Sequence, residues 1–576
     1  MSSGLPADLD GIDAGKYLVR LGPVARRGWR DRFLTHLLKL SWRTPLHNLR
    51  LRGRYPLKLL TIPEDPVRGD VARGREMLDG VIRWRGEAQD IETCDFVSQG
   101  GSPGFVRYLH SFAWLRDLGA LQDRERAAPV AEQMMRAWLA AHGDTISDPA
   151  WSADLAASRV LFWVAHAPLI LSSADVVYRS AVLSALARTA RHLERVAPRT
   201  APGVAQIKAW AAVTAAGLLM PGGDARRDLG EAALDAALDR GLTAEGGPIC
   251  RQPDRLMDLI TTLEMLHKVY EARGQPPEPC IVAALSHSLS VLLGLVMGDG
   301  GLSSWQGALP ADKIDVDALI RASAVRTRAR RQARDWGYHR LEQAKGVLVL
   351  DAAPPPIGQQ VTAGCASTLA FEFSDGPYRL IVNCGGAQAG GGSVPDVLAQ
   401  ALRTTAAHST FVLADSNSTA LRPDGGLGKG VTEVEVERQE GDGGSRIIAS
   451  HNGYARRFGF EHRRSITLMA DGRDLRGEDV LAPISGRKSQ AGSFAVRFHL
   501  GLGVEAQPTA DGQGALLRLP DGGLWQFRAQ GGALGIDDSI WVDGLGQMHA
   551  TVQLVVSGEA PAGGALVNWA FKRASR

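Results

Sequence analysis

The chain lacks the cysteine patterns that predict a disulfide framework or a zinc knuckle. Its five cysteines are odd in number, widely scattered and never spaced as Cys-x-x-Cys; they are Cys94, Cys250, Cys280, Cys365 and Cys384. Closely spaced, even-numbered cysteines are typical of small secreted scaffolds and structural zinc sites. Neither class of protein is therefore indicated.

Export signals and long apolar runs are missing as well. The first fifteen residues, MSSGLPADLDGIDAG, have neither the basic start nor the apolar stretch of a signal peptide. No apolar run approaches the roughly 20 residues of a membrane-spanning helix. Hydrophobic residues make up 45% of the chain and charged residues 22%, which is typical of a soluble globular protein. We therefore expect no transmembrane segment, and a cytoplasmic location is compatible with the sequence.

The short motifs of the commonest enzyme classes are also absent. The sequence contains no GxSxG elbow, P-loop, HExxH pair or dinucleotide-binding GxGxxG context. These absences argue against the usual hydrolases, kinases and dehydrogenases, and we expect no organic cofactor. The net charge of +3 argues against a dedicated nucleic-acid binder.

One stretch near the N-terminus is strongly basic. From Lys16 to Lys58 there are twelve Lys or Arg residues and one acid, Asp31. This stretch is either a solvated arm or a contact for an anionic membrane or polymer. We predict that residues 1–70 form an extended lead-in that packs on the helical part of the protein.

The rest of the chain changes its hydrophobic period once. Between residues 71 and 335 apolar residues recur at helical spacing, as in DRLMDLITTLEMLHKVY, and the connections are short. Such helices bury their faces in antiparallel pairs, either as an array or as a closed toroid. Between residues 336 and 576 short β-branched runs such as GVLVLD and FAVRFHL predict antiparallel sheets. With 576 residues, either two large domains or a few smaller ones are expected.

Candidate site residues lie in loops and at the junction of the two parts. Arg251 stands at a helix start, where a cation is poorly placed, so we expect it to have a partner elsewhere. Tyr338 lies at the junction, where it is either a proton-transfer group facing a groove or a packed aromatic with a bonded hydroxyl. His408 is either a polar core residue or a cleft residue. His451 and His462 lie in one predicted hairpin.

Several motifs in one order resemble the heparinase II/III-like proteins, a group of polysaccharide lyases and related proteins. The motifs include EGGPICRQP, DWGYHRLEQ, TLAFEFSDGPYRLIVNCG, RTTAAHSTFVL and SHNGYARRFGFEHRRSITLMADGRDLRGED. The resemblance covers nearly everything after about residue 50. It implies an N-terminal incomplete (α/α) helical toroid followed by a C-terminal antiparallel β-sandwich.

The resemblance also implies an activity and a set of site residues. The activity is β-elimination on a uronic-acid polysaccharide, in which an acidic glycan is the partner and the cell envelope the expected location. Tyr338 and His408 would be catalytic, whereas Arg251, Gln252, Trp305 and Arg403 would bind substrate. One structural divalent metal ion, such as zinc, would be held by ligands from the set His408, Asp415 and His451. A homodimer is compatible with the resemblance.

This chain departs from the family pattern at several polar positions. Family members usually have His where this chain has Pro248, Met297, Cys365 and Gly501. The alternative to a lyase is therefore a degenerate member that binds glycan without cutting it. A third interpretation, a structural or assembly protein of the cell envelope, rests on the basic lead-in and on the ability of one fold to serve several functions.

Overall fold

The computed structural model describes residues 12, 15–20, 51, 58–97, 100–356, 363–386 and 394–574. Residues 21–50 and 52–57, which carry most of the basic stretch, lie outside the described part. The prediction of a solvated or anion-binding arm therefore falls on residues that the structure does not describe.

Helices form most of the described chain between residues 71 and 322. They are α1 (Val71–Leu78), α2 (Pro103–Ser111), α3 (Leu115–Gly119), α4 (Arg124–His142), α5 (Ala153–Ala165), α6 (Ala167–Ile170), α7 (Val176–Val196), α8 (Val204–Leu219), α9 (Asp224–Gly241), α10 (Pro253–Ala272), α11 (Pro279–Leu295) and α12 (Lys313–Ala322). A small antiparallel hairpin, β2 (Val81–Trp84) and β3 (Glu87–Asp90), follows α1. Helix α8 is apolar on nearly all faces and packs against α5, α7, α9 and α10, which makes it the centre of this part.

Tryptophans and one arginine fill the core of the helical part. Trp138, Trp151 and Trp163 are almost fully buried, and the guanidinium of Arg159 lies 4.3, 5.4 and 5.5 Å from their ring centroids. Burial lowers the pKa of Arg159 to about 9, so the side chain is still a cation at neutral pH. The electron-rich indole faces therefore stabilise this buried charge.

Strands form most of the second part. They are β4 (Gln332–Ala333), β5 (Tyr338–Gln343), β6 (Gly346–Asp351), β7 (Phe371–Asp375), β8 (Tyr378–Val382), β9 (Phe411–Leu413), β10 (Glu433–Gly441), β11 (Gly444–His451), β12 (Phe460–Met469), β13 (Asp474–Pro483), β14 (Gly492–Leu500), β15 (Glu505–Pro508), β16 (Gly514–Arg518), β17 (Leu524–Gln530), β18 (Ala533–Val542), β19 (Met548–Ala560) and β20 (Ala565–Arg573). Short helices α13 (Asp396–Ala401) and α14 (Ala455–Phe458) lie in the connections.

These strands make two antiparallel sheets in the described part of the chain. The first has the order β1-β10-β11-β12-β13-β20-β17-β16-β15, where β1 is Gly15–Arg20. The second has the order β18-β19-β14-β8-β7-β6-β5-β4, with β9 paired to β14. Phe371, Phe498, Phe527, Trp569 and Phe571 pack together in the core between them. The predicted helical toroid followed by an antiparallel β-sandwich is confirmed.

The lead-in prediction is correct for one segment and wrong for another. The backbone N–H of Leu60 donates to the carbonyl of Leu219, and Asp65 pairs with Arg116, so this segment packs on the helices as expected. Gly15–Arg20 instead pairs with β10 and extends the sheet of the second part. Local sequence does not specify which edge a strand joins, because that choice depends on a partner far along the chain.

No helix in the described residues is both long and apolar enough to cross a lipid bilayer.

Phe498→Ala should destabilise the β-sandwich by about 3–5 kcal/mol, because it leaves a cavity among four packed aromatic rings. Denaturant unfolding followed by tryptophan fluorescence measures this loss. Val397→Ala, at a position that is 85% exposed, is the control and should change stability by less than about 0.5 kcal/mol. Equal effects of the two substitutions would contradict the assignment of Phe498 to the core.

Candidate functional site at the domain boundary

The candidate site lies where two loops of the helical part meet the first strands of the sandwich. Tyr338 begins β5, and its cross-strand partner Asp351 ends β6. The loop before α10 brings Arg251 to these two residues, and the loop after α11 brings Gln306. We call Arg251, Gln306, Tyr338, Asp351 and Ser367 the boundary cluster.

Arg251 is held by the sandwich. Its Nη2 donates to Asp351 Oδ1 at 2.6 Å, its Nε to the carbonyl of Trp336 at 2.7 Å, and its Nη1 to that of Pro354 at 3.0 Å. Burial disfavours the guanidinium charge, but Asp351 outweighs this effect and raises the pKa of Arg251. The expected distant partner is thus an internal carboxylate.

The backbone of the cluster is strained at two positions. Arg251 has φ 58° and Gln306 has φ 51°, in the left-handed region that non-glycine residues rarely adopt. Such strain persists where surrounding contacts over-determine the conformation. Here both side chains are tied to Asp351, which offsets the strain.

Asp351 is satisfied on both carboxylate oxygens. Its Oδ2 accepts from Ser367 Oγ at 2.8 Å and from Gln306 Nε2 at 3.3 Å, while Oδ1 binds Arg251. Gln306 Oε1 in turn accepts from the backbone N–H of Cys365 at 3.0 Å. The carboxylate is fully buried, so its charge is balanced entirely by these protein donors.

Tyr338 does not face an open groove, and that prediction is wrong. The residue is 3% exposed, and its hydroxyl donates to the carbonyl of Arg251 at 2.8 Å. Burial raises the pKa of Tyr338 well above its ordinary value, while the adjacent Arg251 acts in the opposite direction. The alternative of a packed aromatic with a bonded hydroxyl describes this structure.

Two of the predicted substrate-binding residues also reach this site and are buried. Trp305 lies 5.5 Å from Tyr338 between ring centroids, and its Nε1 donates to Ser303 Oγ. Gln252 donates to the carbonyl of Gln306 at 2.8 Å. Arg251, Gln252, Trp305 and Tyr338 therefore lie together at the boundary, with hydrogen bonds to other groups of the protein.

His408 and Arg403 lie on the sandwich side of the boundary. His408 Nδ1 donates to the carbonyl of Thr404 at 2.7 Å, and burial lowers the pKa of His408 to about 4. Arg403 donates to the carbonyls of Gly364 and Gly426 and to Gln400 Oε1. Both side chains are almost fully buried. His408 is therefore neutral at pH 7, and Arg403 connects loops of the sandwich through its hydrogen bonds.

The predicted metal ligands do not come together. Within the described residues, no group of three or more His, Cys, Asp or Glu side chains is placed to hold a metal ion. Asp415 is exposed, whereas His408 and His451 are buried. The expectation of a bound divalent ion stays a prediction, without the ligand set proposed for it.

A hydrogen-bond chain explains why His451 is not available as a ligand. The N–H of Gly453 donates to His451 Nδ1, so His451 Nε2 donates to His462 Nδ1 at 3.2 Å. His462 Nε2 then donates to Asp479 Oδ1 at 2.8 Å. Both imidazoles are neutral in this chain and have each ring nitrogen occupied.

Sequence reasoning missed Asp351, Gln306 and Ser367. Asp351 closes the otherwise apolar run GVLVLD, and a carboxylate at the end of a buried strand is a signal for a buried partner. Gln306 and Ser367 carry no comparable signal, because Gln and Ser in loops are ordinary.

Comparison with known proteins identifies the second part. Residues 325–570 match the family model described as heparinase II/III-like, C-terminal. This part of the chain is similar to heparinase II/III-like domains. The resemblance drawn from the motifs is confirmed.

The relatives extend over almost the whole chain. FtsZ-localized protein C of Caulobacter vibrioides is 28% identical over 548 residues, which are 92% of this chain and 92% of that protein. A crystal structure of heparinase III has a TM-score of 0.68 at 12% identity and covers 96% of this chain and 93% of its own. The heparan sulfate lyase HepC of Pedobacter heparinus has a TM-score of 0.58 at 13% identity, covering 97% and 92%. The chain therefore has the polysaccharide-lyase fold.

Asp351→Asn should destabilise the protein by about 3–5 kcal/mol, because it leaves the buried Arg251 guanidinium without a counter-charge. Denaturant unfolding measures the change. The matched control is Glu505→Gln, which breaks an exposed pair with Arg518 and should cost less than about 1 kcal/mol. If Asp351→Asn were as mild as the control, the boundary cluster would not be a stabilising element.

His408→Asn should make the protein less sensitive to acid. The folded pKa of about 4 lies below the ordinary value of 6.5, so the unfolded chain binds more protons between these values. The contribution of neutral His408 to the free energy of unfolding is thus fully present above pH 6.5. It is lost as the pH falls from 6.5 to about 4. Between pH 7 and pH 4 the free energy of unfolding should therefore fall by roughly 3 kcal/mol less in the variant than in wild type. Denaturant unfolding at pH 7, 5.5 and 4 measures the difference. Parallel pH profiles for the two proteins would refute a buried neutral His408.

Proposed function

We propose that this protein is a catalytically silent heparinase-like protein that binds acidic glycan and acts as an assembly component of the cell envelope near FtsZ. The observation that carries the proposal is the pairing of Arg251 with Asp351. The group that would neutralise a substrate carboxylate is already neutralised by the protein itself.

β-Elimination requires three groups that a substrate can reach. A cation or polar donor must stabilise the sugar carboxylate, a base must remove the neighbouring proton, and an acid must protonate the leaving oxygen. In this chain Arg251 is 5% exposed, with Nε, Nη1 and Nη2 each bonded to protein. Tyr338 is equally enclosed, and its raised pKa makes the phenolate base costly to form.

The substituted family positions support the same conclusion. Pro248 contributes only a carbonyl, which accepts from Trp336 Nε1. Met297 is 2% exposed, and burial raises the pKa of the Cys365 thiol to about 12. At Gly501 even a Cβ atom would lie 1.9 Å from the carbonyl oxygen of Arg379, so His does not fit there without a backbone shift.

The name of the Caulobacter relative supports localisation with FtsZ. That relative matches this chain over 92% of both lengths, and its name records localisation with FtsZ. The lyase structures match at 12–13% identity, a level at which the fold is shared and the chemistry differs freely. We therefore propose localisation with FtsZ for this chain and retain glycan binding from the lyase fold.

The second candidate is lyase activity itself. It is favoured by the convergence of Tyr338, Arg251, Gln252 and Trp305 at one boundary site. For this activity the boundary cluster would have to open and release Arg251 from Asp351. Formation of an unsaturated uronate product distinguishes the lyase from the catalytically silent protein.

Purified protein should yield no unsaturated uronate from a panel of heparan sulfate, chondroitin sulfate, polygalacturonate and alginate. Ultraviolet absorbance of the unsaturated product is the measurement, and Tyr338→Phe should give the same baseline as wild type. A positive-control lyase establishes that each polymer is cleavable. Product formation that falls by about a hundredfold or more in Tyr338→Phe would establish the lyase instead.

A further inference from the structure

We infer that the outer face of the β-sandwich carries a second polar site, which binds a uronic-acid oligosaccharide of low charge density. The site is the outer-sheet groove, defined by Arg476, Arg528, Asn568, Ala570 and Lys572. It lies on strands β13, β20 and β17, which are inner strands of the first sheet. This inference rests on the proposed glycan binding and gives that binding a location away from the boundary cluster.

A small residue at the centre of the sheet creates the groove. Ala570 on β20 is paired across the sheet with Arg476 on β13 and with Arg528 on β17. Asn568 and Lys572 lie two residues away on β20 and point to the same face, because side chains alternate along a strand. The methyl group of Ala570 thus forms the bottom of the groove, and four polar side chains surround it.

The dimensions suit a short sugar chain. The backbones of Arg476 and Arg528 are two strand spacings apart, which is roughly 10 Å. The groove has a volume of about 460 Å³, within the range of small-molecule sites. Gln513 and Gln530 add amide groups to its walls.

The two arginines are oriented by carboxylates and still have donors to offer. Asp474 accepts from Nε and Nη2 of Arg476 at 2.9 and 2.6 Å, and Asp511 accepts from Nη1 of Arg528 at 2.5 Å. In the described part of the chain, Arg476 Nη1, Arg528 Nε and Nη2, and Lys572 Nζ have no acceptor. Both arginines are about half exposed or more, so a ligand can reach these donors.

The balance of charge and amides indicates the ligand class. Three cations (Arg476, Arg528 and Lys572) face two carboxylates (Asp474 and Asp511), which leaves an excess of one positive charge. An amide both donates and accepts, as a sugar hydroxyl does, so Asn568 and the two glutamines suit a polyhydroxylated ligand. A dense polyanion would bring many more negative charges than this excess of one can balance. A glycan with an occasional carboxylate matches both the small positive excess and the amide groups.

The test is binding of fluorescently labelled oligogalacturonate and oligoalginate to the full-length protein, measured by anisotropy. Neutral malto-oligosaccharide and a densely sulfated heparin oligosaccharide are the comparison probes. Wild type should bind the two uronate oligosaccharides more tightly than either comparison probe. Arg476→Ala and Arg528→Ala should each weaken uronate binding at least about tenfold, because each removes a charge-assisted hydrogen bond.

Two further variants separate the groove from general surface charge. Ala570→Tyr fills the groove without removing a charge, and it should weaken binding at least as much as the arginine variants. Arg518→Ala on the neighbouring strand β16 removes an equally exposed paired arginine and should leave affinity within about twofold. Circular dichroism and unfolding curves identify any variant that fails to fold, and Arg476→Gln then replaces Arg476→Ala.

The outcomes distinguish the groove from the wider proposal. Uronate binding that is unchanged in the groove variants would overturn the groove while leaving glycan binding in place. Absence of uronate binding by wild type would overturn both. Tighter binding of the sulfated or the neutral probe would refute the stated ligand class.

Discussion

The buried ion pair of Arg251 and Asp351 is the interaction on which the domain boundary depends. Both side chains are withdrawn from water, which is costly unless every charge and hydrogen-bonding group finds a partner. The carbonyls of Trp336 and Pro354, with Ser367 and Gln306, supply those partners. A partly satisfied network would be less stable than an apolar contact, so the loop before α10 and the end of β6 are held in one arrangement.

A second polar contact joins the two parts in the same manner. Arg379 of the sandwich donates to both carboxylate oxygens of Asp299 in the loop after α11 and to Glu372 beside it. Glu372 also accepts from the backbone N–H of Ser304 and from Asn383. In these two networks the buried charges of Arg251, Asp351 and Glu372 are all bonded to groups of the protein. Arg251 and Arg379 are thus both paired with carboxylates of the protein itself.

Much of the architecture could be predicted from local pattern. The run GVLVLD coincides with β6, and DRLMDLITTLEMLHKVY falls within α10. The family resemblance pointed to Tyr338 and Arg251 as site residues, but their contact with each other is a finding of the structure. The position of Gly15–Arg20 could not be predicted in this way, because this edge strand is specified by its pairing with β10, more than four hundred residues away. The predicted set of metal ligands, His408, Asp415 and His451, does not come together in the described residues. Convergence of side chains in space has no local signature in the sequence.

By itself the sequence determined the two-part fold, since hydrophobic period is a property of neighbouring residues and decides which face of each helix or strand is buried. It also singled out Arg251 and Tyr338, but not their partners in the boundary cluster, Asp351, Gln306 and Ser367. Only the tertiary structure decided what those residues do. Arg251 and Asp351 are one hundred residues apart in the chain, and only the folded structure brings the guanidinium to the carboxylate. Burial, hydrogen-bond partners and pKa values all depend on such distant contacts, so the closed arrangement of the boundary cluster is visible only in three dimensions.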